Sequence, residues 1–389
     1  TKLIPQNLKL KNVSINSKDL KKNDIFFAVK GRKNDGSKLL KEANNKRSSL
    51  LITHKLNKNI SLSKQIKVKN TLNFLTDCAQ KYRSNIDTSI IGITGSCGKT
   101  TLKQLLGQSL SKIAKTYYSP RSFNNKFGVP LSMMNLKQNK KFGVFEVGMD
   151  KKGEIDSLSK ILRPNLGIIT NISYAHIKNF KNINGIAKAK SEIIKNIVSE
   201  GSLILNKDDK FYKFLSTKAI KRKLKIFSFS LKDKRSYSYV RKITKINNKF
   251  KINFSIGSKS YLYYSSSNSK NHLYNLLATL ISIDLFFDLK NIPKNIFLDF
   301  KPPEGRGDYS KLKFKNKIIN FIDESYNSNP LSLETALTNF GSIKLKNGSK
   351  HILLGDMLEL GKNSMYHHIS VAKIINKLDI DKIHICGND

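Results

Sequence analysis

Residues 90–101 read IIGITGSCGKTT. Three glycines, a lysine and three threonines follow an apolar pair, and two readings are open: a flexible turn, or a loop that holds phosphate. The setting decides between them. Ile90–Ile93 reads as a short buried strand and residues 101–114 as a helix, so the glycines fall at a strand-to-helix turn. The start of a helix offers N–H groups without intrahelical partners and the positive end of the helix dipole, and both favour an anion. Glycine lets the backbone approach a phosphate closely. Lys99 is placed to reach the β and γ phosphates of a nucleotide, and the Thr100 hydroxyl to bind Mg²⁺. The common phosphate loop has a glycine five residues before Gly98, where Ile93 stands here. What remains is the tighter Gly95-Ser96-Cys97-Gly98-Lys99-Thr100.

Outward from this loop, strands and helices alternate: Val144–Val147 then 153–162, Gly167–Ile169 then 183–198, and Leu203–Leu205. Such alternation predicts a parallel sheet covered by helices. Phe250–Ile256 and Tyr261–Tyr264 read as an antiparallel addition. Upstream, residues 1–84 mix short apolar runs (25–29, 49–52) with polar turns, as in a small α/β unit. Lys301-Pro302-Pro303-Glu304-Gly305 reads as a linker. Beyond it come strands at Ile318–Ile322, His351–Leu354 and Lys382–Cys386, with helices near 330–340 and 366–378. There is no internal repeat. The division expected is 1–84, 85–308 and 309–389, with the last domain incomplete at its far end.

The chain has 389 residues and a formal charge of +43, from 71 basic and 28 acidic side chains. Nucleic acid is nevertheless not the expected partner. The excess is mostly lysine spread along the whole chain, whereas a nucleic-acid site gathers arginine and aromatic residues on one element. The charge serves long-range attraction of anionic ligands instead. Cys78, Cys97 and Cys386 are odd in number, widely spaced and free of any CxxC pair, which argues against a disulfide framework or a zinc site and suits the cytoplasm. The N-terminal TKLIPQNLKL lacks the apolar centre of a signal peptide. The most apolar long stretch, 276–289, is interrupted by Thr279, Ser282 and Asp284 and reads as a buried helix, so no membrane span is expected.

The tight loop, with Thr94 before it and Thr101 after, resembles that of the Mur ligases, ATP-dependent amide-bond ligases of cell-wall precursor synthesis. Further stretches extend the resemblance in order along nearly the whole chain. Ser122–Pro130 looks like the family's FNN-x-x-GVP segment, and Phe145-Glu146-Val147-Gly148 like its E-[LVM]-G strand end. Ile169–His176 resembles TN-x-x-x-AH, and Ala187–Glu192 resembles AKAK-x-E. Asn206-Lys207-Asp208-Asp209, Gly305-Arg306-Gly307 and Asp323–Pro330 follow, then Leu354–Gly361 (LGDMLELG) with His368 beyond it. The last two runs look most like the branch that adds D-alanyl-D-alanine.

The resemblance implies a three-domain α/β fold. A central parallel-sheet ATPase domain with the phosphate loop is flanked by a small N-terminal α/β domain for the UDP end of the substrate and a partial Rossmann-like C-terminal domain. It implies ATP and Mg²⁺ as cofactors, and UDP-N-acetylmuramoyl-tripeptide and D-alanyl-D-alanine as substrates, handled by a monomer. Thr94, Gly95, Ser96, Cys97, Gly98, Lys99, Thr100 and Thr101 would hold the nucleotide phosphates. Arg306 would meet phosphate through its planar fork, with Asn275 and Asn327 on the nucleotide. Thr100, Glu146 and His176 would hold metal. Lys190 would join them as a carbamate, formed when a neutral amine adds CO₂; burial lowers the amine pKa and assists this. The chemical step therefore rests on Lys99, Glu146, His176 and Lys190. Ser17, Lys18, Asn124 and Asn125 would touch the substrate.

The sequence departs from the family pattern in places. Cys97 replaces the usual Asn, with its side chain expected to point away from phosphate. Asn271-His272 reverses the His-Asn order, which puts adenine recognition by that segment in doubt. Asn16 and Lys18 replace Asp and Arg of an IDSR-like run. Two alternatives stay open: the neighbouring ligase that adds the third amino acid, and a shortened nucleotide-binding copy with little turnover.

Overall fold

The computed structural model describes residues 11–387 except residues 32, 33, 176, 316 and 346. Its first unit is a four-stranded parallel sheet, with β1 (Val13–Ser14), β2 (Ile25–Phe27), β3 (Leu50–Thr53) and β4 (Gln65–Lys67) side by side in chain order. The two apolar runs of this region supply β2 and β3. Helix α1 (Leu40–Asn45) packs Leu40 and Ala43 against Phe26 and Leu51. Helix α2 (Thr71–Ser84) leads to the next unit. It starts where Asn70 accepts the N–H groups of Leu72 and Asn73, and the Thr71 hydroxyl donates to Ala28 O at 3.0 Å. Such an N-cap contributes about 1 kcal/mol.

The second unit holds the phosphate loop. Its strands are β5 (Ser89–Thr94), β6 (Thr116–Tyr118), β7 (Phe142–Glu146), β8 (Leu166–Ile169), β9 (Ser202–Asn206), β10 (Lys225–Ser230), β11 (Ser238–Ile246), β12 (Lys249–Ile256) and β13 (Lys259–Ser265). They form one sheet in the order β13-β12-β11-β10-β9-β8-β5-β7-β6, parallel from β6 to β11, with β12 and β13 added antiparallel. Helices α3 (Lys99–Ser111), α4 (Gly128–Asn135), α5 (Glu154–Leu162), α6 (Ile183–Lys190), α7 (Ile193–Asn196), α8 (Tyr212–Lys221) and α9 (Lys270–Asp284) cover it.

Two apolar clusters account for this arrangement. In one, Leu102, Leu105, Leu106 and Leu110 of α3 meet Ile91 and Ile93 of β5 and Leu276, Leu277 and Leu280 of α9. Full burial of each such side chain contributes roughly 1.5–3 kcal/mol. The apolar stretch 276–289, expected as one buried helix, is corrected: its first part, to Asp284, is the buried end of α9, and residues 285–289 lie beyond the helix. Among the described residues no helix is long and apolar enough to cross a membrane. The second cluster lies around α5, α6 and α7.

A second expected helix is corrected. The stretch 183–198 is not continuous but breaks between α6 and α7. At the break Glu192 turns aside, and its carboxylate accepts the N–H groups of Gly153 at 2.9 Å and Asp156 at 3.1 Å, at the start of α5. An anion there suits the positive end of α5.

Beyond Lys301–Gly305 the hairpin β14 (Asp308–Phe314) and β15 (Lys317–Asp323) leads to α10 (Pro330–Gly341), β16 (His351–Gly355), α11 (Ser364–Ile375) and β17 (Lys382–Cys386), with β16 and β17 parallel. Asn329 caps α10 in a reciprocal box with Ser332. The LGDMLELG run forms the turn after β16. It buries Met357 and Leu360 in the apolar cluster that also contains Ile172 and Ile177, and Glu359 O accepts Lys178 N–H at 3.2 Å.

Candidate active site

The site lies at the carboxyl end of the parallel strands, where ligands gather in open α/β sheets. Strand β5 lies between β7 and β8, with Ile93 opposite Glu146 and Thr94 opposite Ile169. The loop that follows β5 therefore runs beside the ends of both neighbours. Gly95 takes φ 148°, and a Cβ there would stand 1.9 Å from Thr170 Oγ1. Gly98, at φ 80°, is the left-handed residue from which α3 starts, and no side chain caps that helix.

The loop is bound to the turn after β8. Ser96 N–H donates to Asn171 O and Cys97 N–H to Asn171 Oδ1, both at 2.9 Å. Thr170 Oγ1 donates to Cys97 O at 2.6 Å. Ser96 Oγ donates to Ser173 O and accepts Ser173 N–H. Asp209 carries this turn in its place, accepting Ile172 N–H at 2.6 Å and Phe211 N–H at 2.8 Å. Two of the loop amides are thus engaged within the protein, and the start of α3 adds those of Lys99 to Thr101, which have no intrahelical partner. Lys99 Nζ folds back to Gly95 O at 2.9 Å. Thr94 carries a buried hydroxyl without a hydrogen-bond partner among the described residues.

Several oxygen and nitrogen groups gather beside this turn. Glu146 is 1% exposed. Its Oε2 accepts the Thr100 hydroxyl at 2.7 Å, and its Oε1 accepts Asn124 Nδ2 at 2.7 Å. Arg306 Nη2 donates to Ser122 Oγ at 3.3 Å, and its guanidinium lies 4.0 Å above the Tyr326 ring. Lys190, also 1% exposed, donates to Gly95 O at 2.9 Å. Burial first, and then the Lys99 ammonium, hold the Lys190 pKa well below the ordinary lysine range. Among the described residues no three His, Cys, Asp or Glu side chains cluster in a way that holds a metal ion. Thr100 and Glu146 are hard oxygen donors of the kind Mg²⁺ accepts in ones and twos, with water and phosphate oxygens completing its shell.

The remaining expected residues fall in several places. The Cys97 thiol meets Asn329, the cap of α10, with Sγ 3.2 Å from Oδ1. Asn275 is buried beside the loop, its Oδ1 3.7 Å from where a Cβ on Gly98 would lie. The reversed pair before it separates: Asn271 is exposed, while His272 packs on Phe300 and pairs with Ser265 Oγ at 2.8 Å. Burial lowers the His272 pKa to about 4. Asn125 lies just ahead of α4, its Oδ1 accepting the N–H groups of Phe127 and Gly128. Asn327 is exposed, and it is Asn329, two residues on, that reaches the phosphate loop. Ser17 and Lys18 lie in the first unit, Ser17 buried and Lys18 exposed. His176 lies outside the described residues.

A profile of the Mur ligase middle domain matches residues 93–283. The UDP-N-acetylmuramoyl-tripeptide--D-alanyl-D-alanine ligase of Buchnera aphidicola from Acyrthosiphon pisum is 32% identical over 392 residues, covering 98% of this chain and 82% of its own. The chain belongs to the Mur ligase family. Within it, the chain resembles MurF of Acinetobacter baumannii, whose crystal structure superposes with a TM-score of 0.86 at 27% identity, over 99% of this chain and 82% of that one. A MurF ligase from Thermotoga maritima, solved in complex with ADP, shares the fold at 23% identity and a TM-score of 0.82, over 98% of this chain and 85% of that one.

Several residues of this Mur ligase site had no role in the reading from sequence. Asn171 and Asp209 stood inside family-like stretches, but which backbone groups they hold depends on how β8 and β9 pack. Asn329 had a usable signal, an Asn directly before a Pro at a helix start. Lys103 had none that set it apart from the many lysines of the chain.

Proposed function

We propose that the chain joins D-alanyl-D-alanine to UDP-N-acetylmuramoyl-tripeptide, consuming ATP with Mg²⁺, in the cytoplasm. The observation that carries this reading is the convergence of Thr100, Glu146 and Lys190 on a phosphate loop that opens an uncapped helix. The choice of substrates is supported by the D-alanyl-D-alanine ligases among its relatives, and the cytoplasm by three free cysteines. The proposal keeps the division read from sequence: 1–84 for the UDP end of the substrate, 85–308 for ATP and 309–389 as a partial C-terminal ligase domain.

In this reading Lys99 and the first amides of α3 hold the terminal phosphates, and Arg306 faces them from the linker side. A peptide carboxylate oxygen attacks the γ-phosphorus, the bond to the β-phosphate oxygen breaks, and ADP leaves. The amine of D-alanyl-D-alanine then attacks the acyl carbon, loses a proton, and phosphate departs. Anionic groups crowd together in both steps, so fixed cations supply the main stabilisation. Mg²⁺, held by Thr100 and Glu146, would screen phosphate charge. Lys190, its neutral fraction raised by burial, would form an N–C bond to CO₂ with loss of a proton and present the resulting anion to metal.

The test is phosphate release from ATP in the presence of UDP-N-acetylmuramoyl-tripeptide and each candidate amine. Release is expected with D-alanyl-D-alanine. Release only with a free diamino acid on the dipeptide precursor would transfer the assignment to the ligase that adds the third residue.

A further inference from the structure

Lys103 is a lysine with no exposed surface. It sits on α3 one turn after Lys99, among the buried residues Leu102, Leu105 and Leu106. Its ammonium donates to two main-chain carbonyls, Ser119 O at 2.6 Å and Arg121 O. A buried cation is costly, and nothing in the proposed reaction uses this one. Burial lowers its pKa to about 8, with Glu146 opposing the shift and Arg306 adding to it. It therefore lies within the electrostatic reach of the site, while its hydrogen bonds among the described residues go to main-chain carbonyls.

The segment it holds is informative. Ser119-Pro120-Arg121 turns the chain out of β6, and Arg121 is left-handed at φ 46°, a conformation unfavourable for a residue with a Cβ. The next three residues carry Ser122 and Asn124. Ser122 meets Arg306 at 3.3 Å and Thr100 at 3.4 Å, and Asn124 meets Glu146 at 2.7 Å. We propose that Lys103 is a positioning residue: by clamping the Ser119–Arg121 turn it sets Asn124 and Ser122 against Glu146 and Thr100, and so orients the pair that faces the metal. This rests on the proposed Mg²⁺-ATP reading. Its chemistry is that of an outer partner that aims a ligating carboxylate, here acting through the backbone.

The experiment compares wild type, Lys103→Met, and Lys103→Met combined with Arg121→Gly. Lys103→Met is expected to raise the Mg²⁺ concentration for half-maximal phosphate release by about 10–100-fold, the usual cost of losing an outer-shell partner. Binding of ADP without Mg²⁺ should change by less than about threefold, because Lys99 and the α3 amides are untouched. Glycine accepts the left-handed turn readily, so the double variant should recover part of the Mg²⁺ response, and should recover folding if the single variant does not fold. Hydrogen exchange at residues 119–125 should rise in Lys103→Met and fall back in the double variant; this arm needs no activity and separates failure of the inference from failure of the ligase reading. An unchanged Mg²⁺ requirement, an equal loss of ADP binding with and without metal, or no return of protection in the double variant would each overturn the role of Lys103.

Discussion

The Thr100 hydroxyl donates to Glu146 Oε2 across 2.7 Å, joining the first turn of α3 to the last residue of β7. A carboxylate in that position has one side-chain donor on each oxygen and is otherwise sealed from solvent. Glu146→Gln keeps the shape and removes the charge. It is expected to lower kcat for phosphate release by roughly 10²–10³-fold, the scale of one lost electrostatic contact in a reacting site. Thermal unfolding should barely change. A variant that retains a tenth or more of wild-type turnover would remove Glu146 from the metal-facing role.

Lys190 gives a second prediction. Because burial depresses its folded pKa, the unfolded chain holds the proton more tightly between that value and the ordinary lysine pKa. Its contribution to stability therefore rises with pH through that window and is least favourable in acid. Lys190→Ala should lose about 10²–10³-fold in turnover, and added formate or acetate should restore part of it. Labelled ¹³CO₂ should give a carbamate carbon signal in wild type and none in the variant. Full activity of the alanine variant without added carboxylate contradicts the carbamate.

The thiol of Cys97 is covered by the cap of α10 and its pKa is raised by burial. A raised pKa leaves less thiolate at any given pH, so alkylation slows. Iodoacetamide at mildly alkaline pH should label exposed Cys386 first, with Cys97 at least about tenfold slower, as read by peptide mass spectrometry. Asn329→Ala should speed labelling of Cys97 and cost about 1 kcal/mol through the lost cap. Equal rates at Cys97 and Cys386 in wild type would contradict the contact.

His272 predicts an acid limb of stability. Its ring is neutral when folded, with a pKa near about 4, while the unfolded ring titrates near 6.5. As pH falls between those values the unfolded state gains the proton first, and about 3 kcal/mol of stability is lost. Melting temperatures measured from pH 7 to pH 4 should fall more steeply in wild type than in His272→Gln. Parallel curves would show that the ring titrates normally in the fold.

Much of the fold was legible because its signals are local. The loop after β5, the apolar strand that ends at Glu146, and the alternation around them each show in a few consecutive residues. The long strand β11 was not legible, since Arg241, Lys242 and Lys245 interrupt its apolar residues and much of it is exposed. Helix α4 opens with Gly-Val-Pro, which carries no helix-start signal of its own, and Asn125 Oδ1 accepts the Gly128 N–H. The break at Glu192 depends on a contact with α5 nearly forty residues earlier in the chain. The site divided in the same way. Residues proposed to face a ligand stood in recognisable spacings, whereas those that hold the surrounding turns, Asp209 and Lys103, bond to distant main chain that no window of sequence contains.

The bonds from Ser96 and Cys97 to Asn171 bear on the entropy of nucleotide binding. Fixing the backbone of a residue costs about 1–2 kcal/mol, and here that cost for the loop is met when β8 docks beside β5, before any ligand arrives. In the proposed function ATP then meets a loop already tied to its neighbour, and its affinity reflects the contacts it makes with little deduction for ordering the chain.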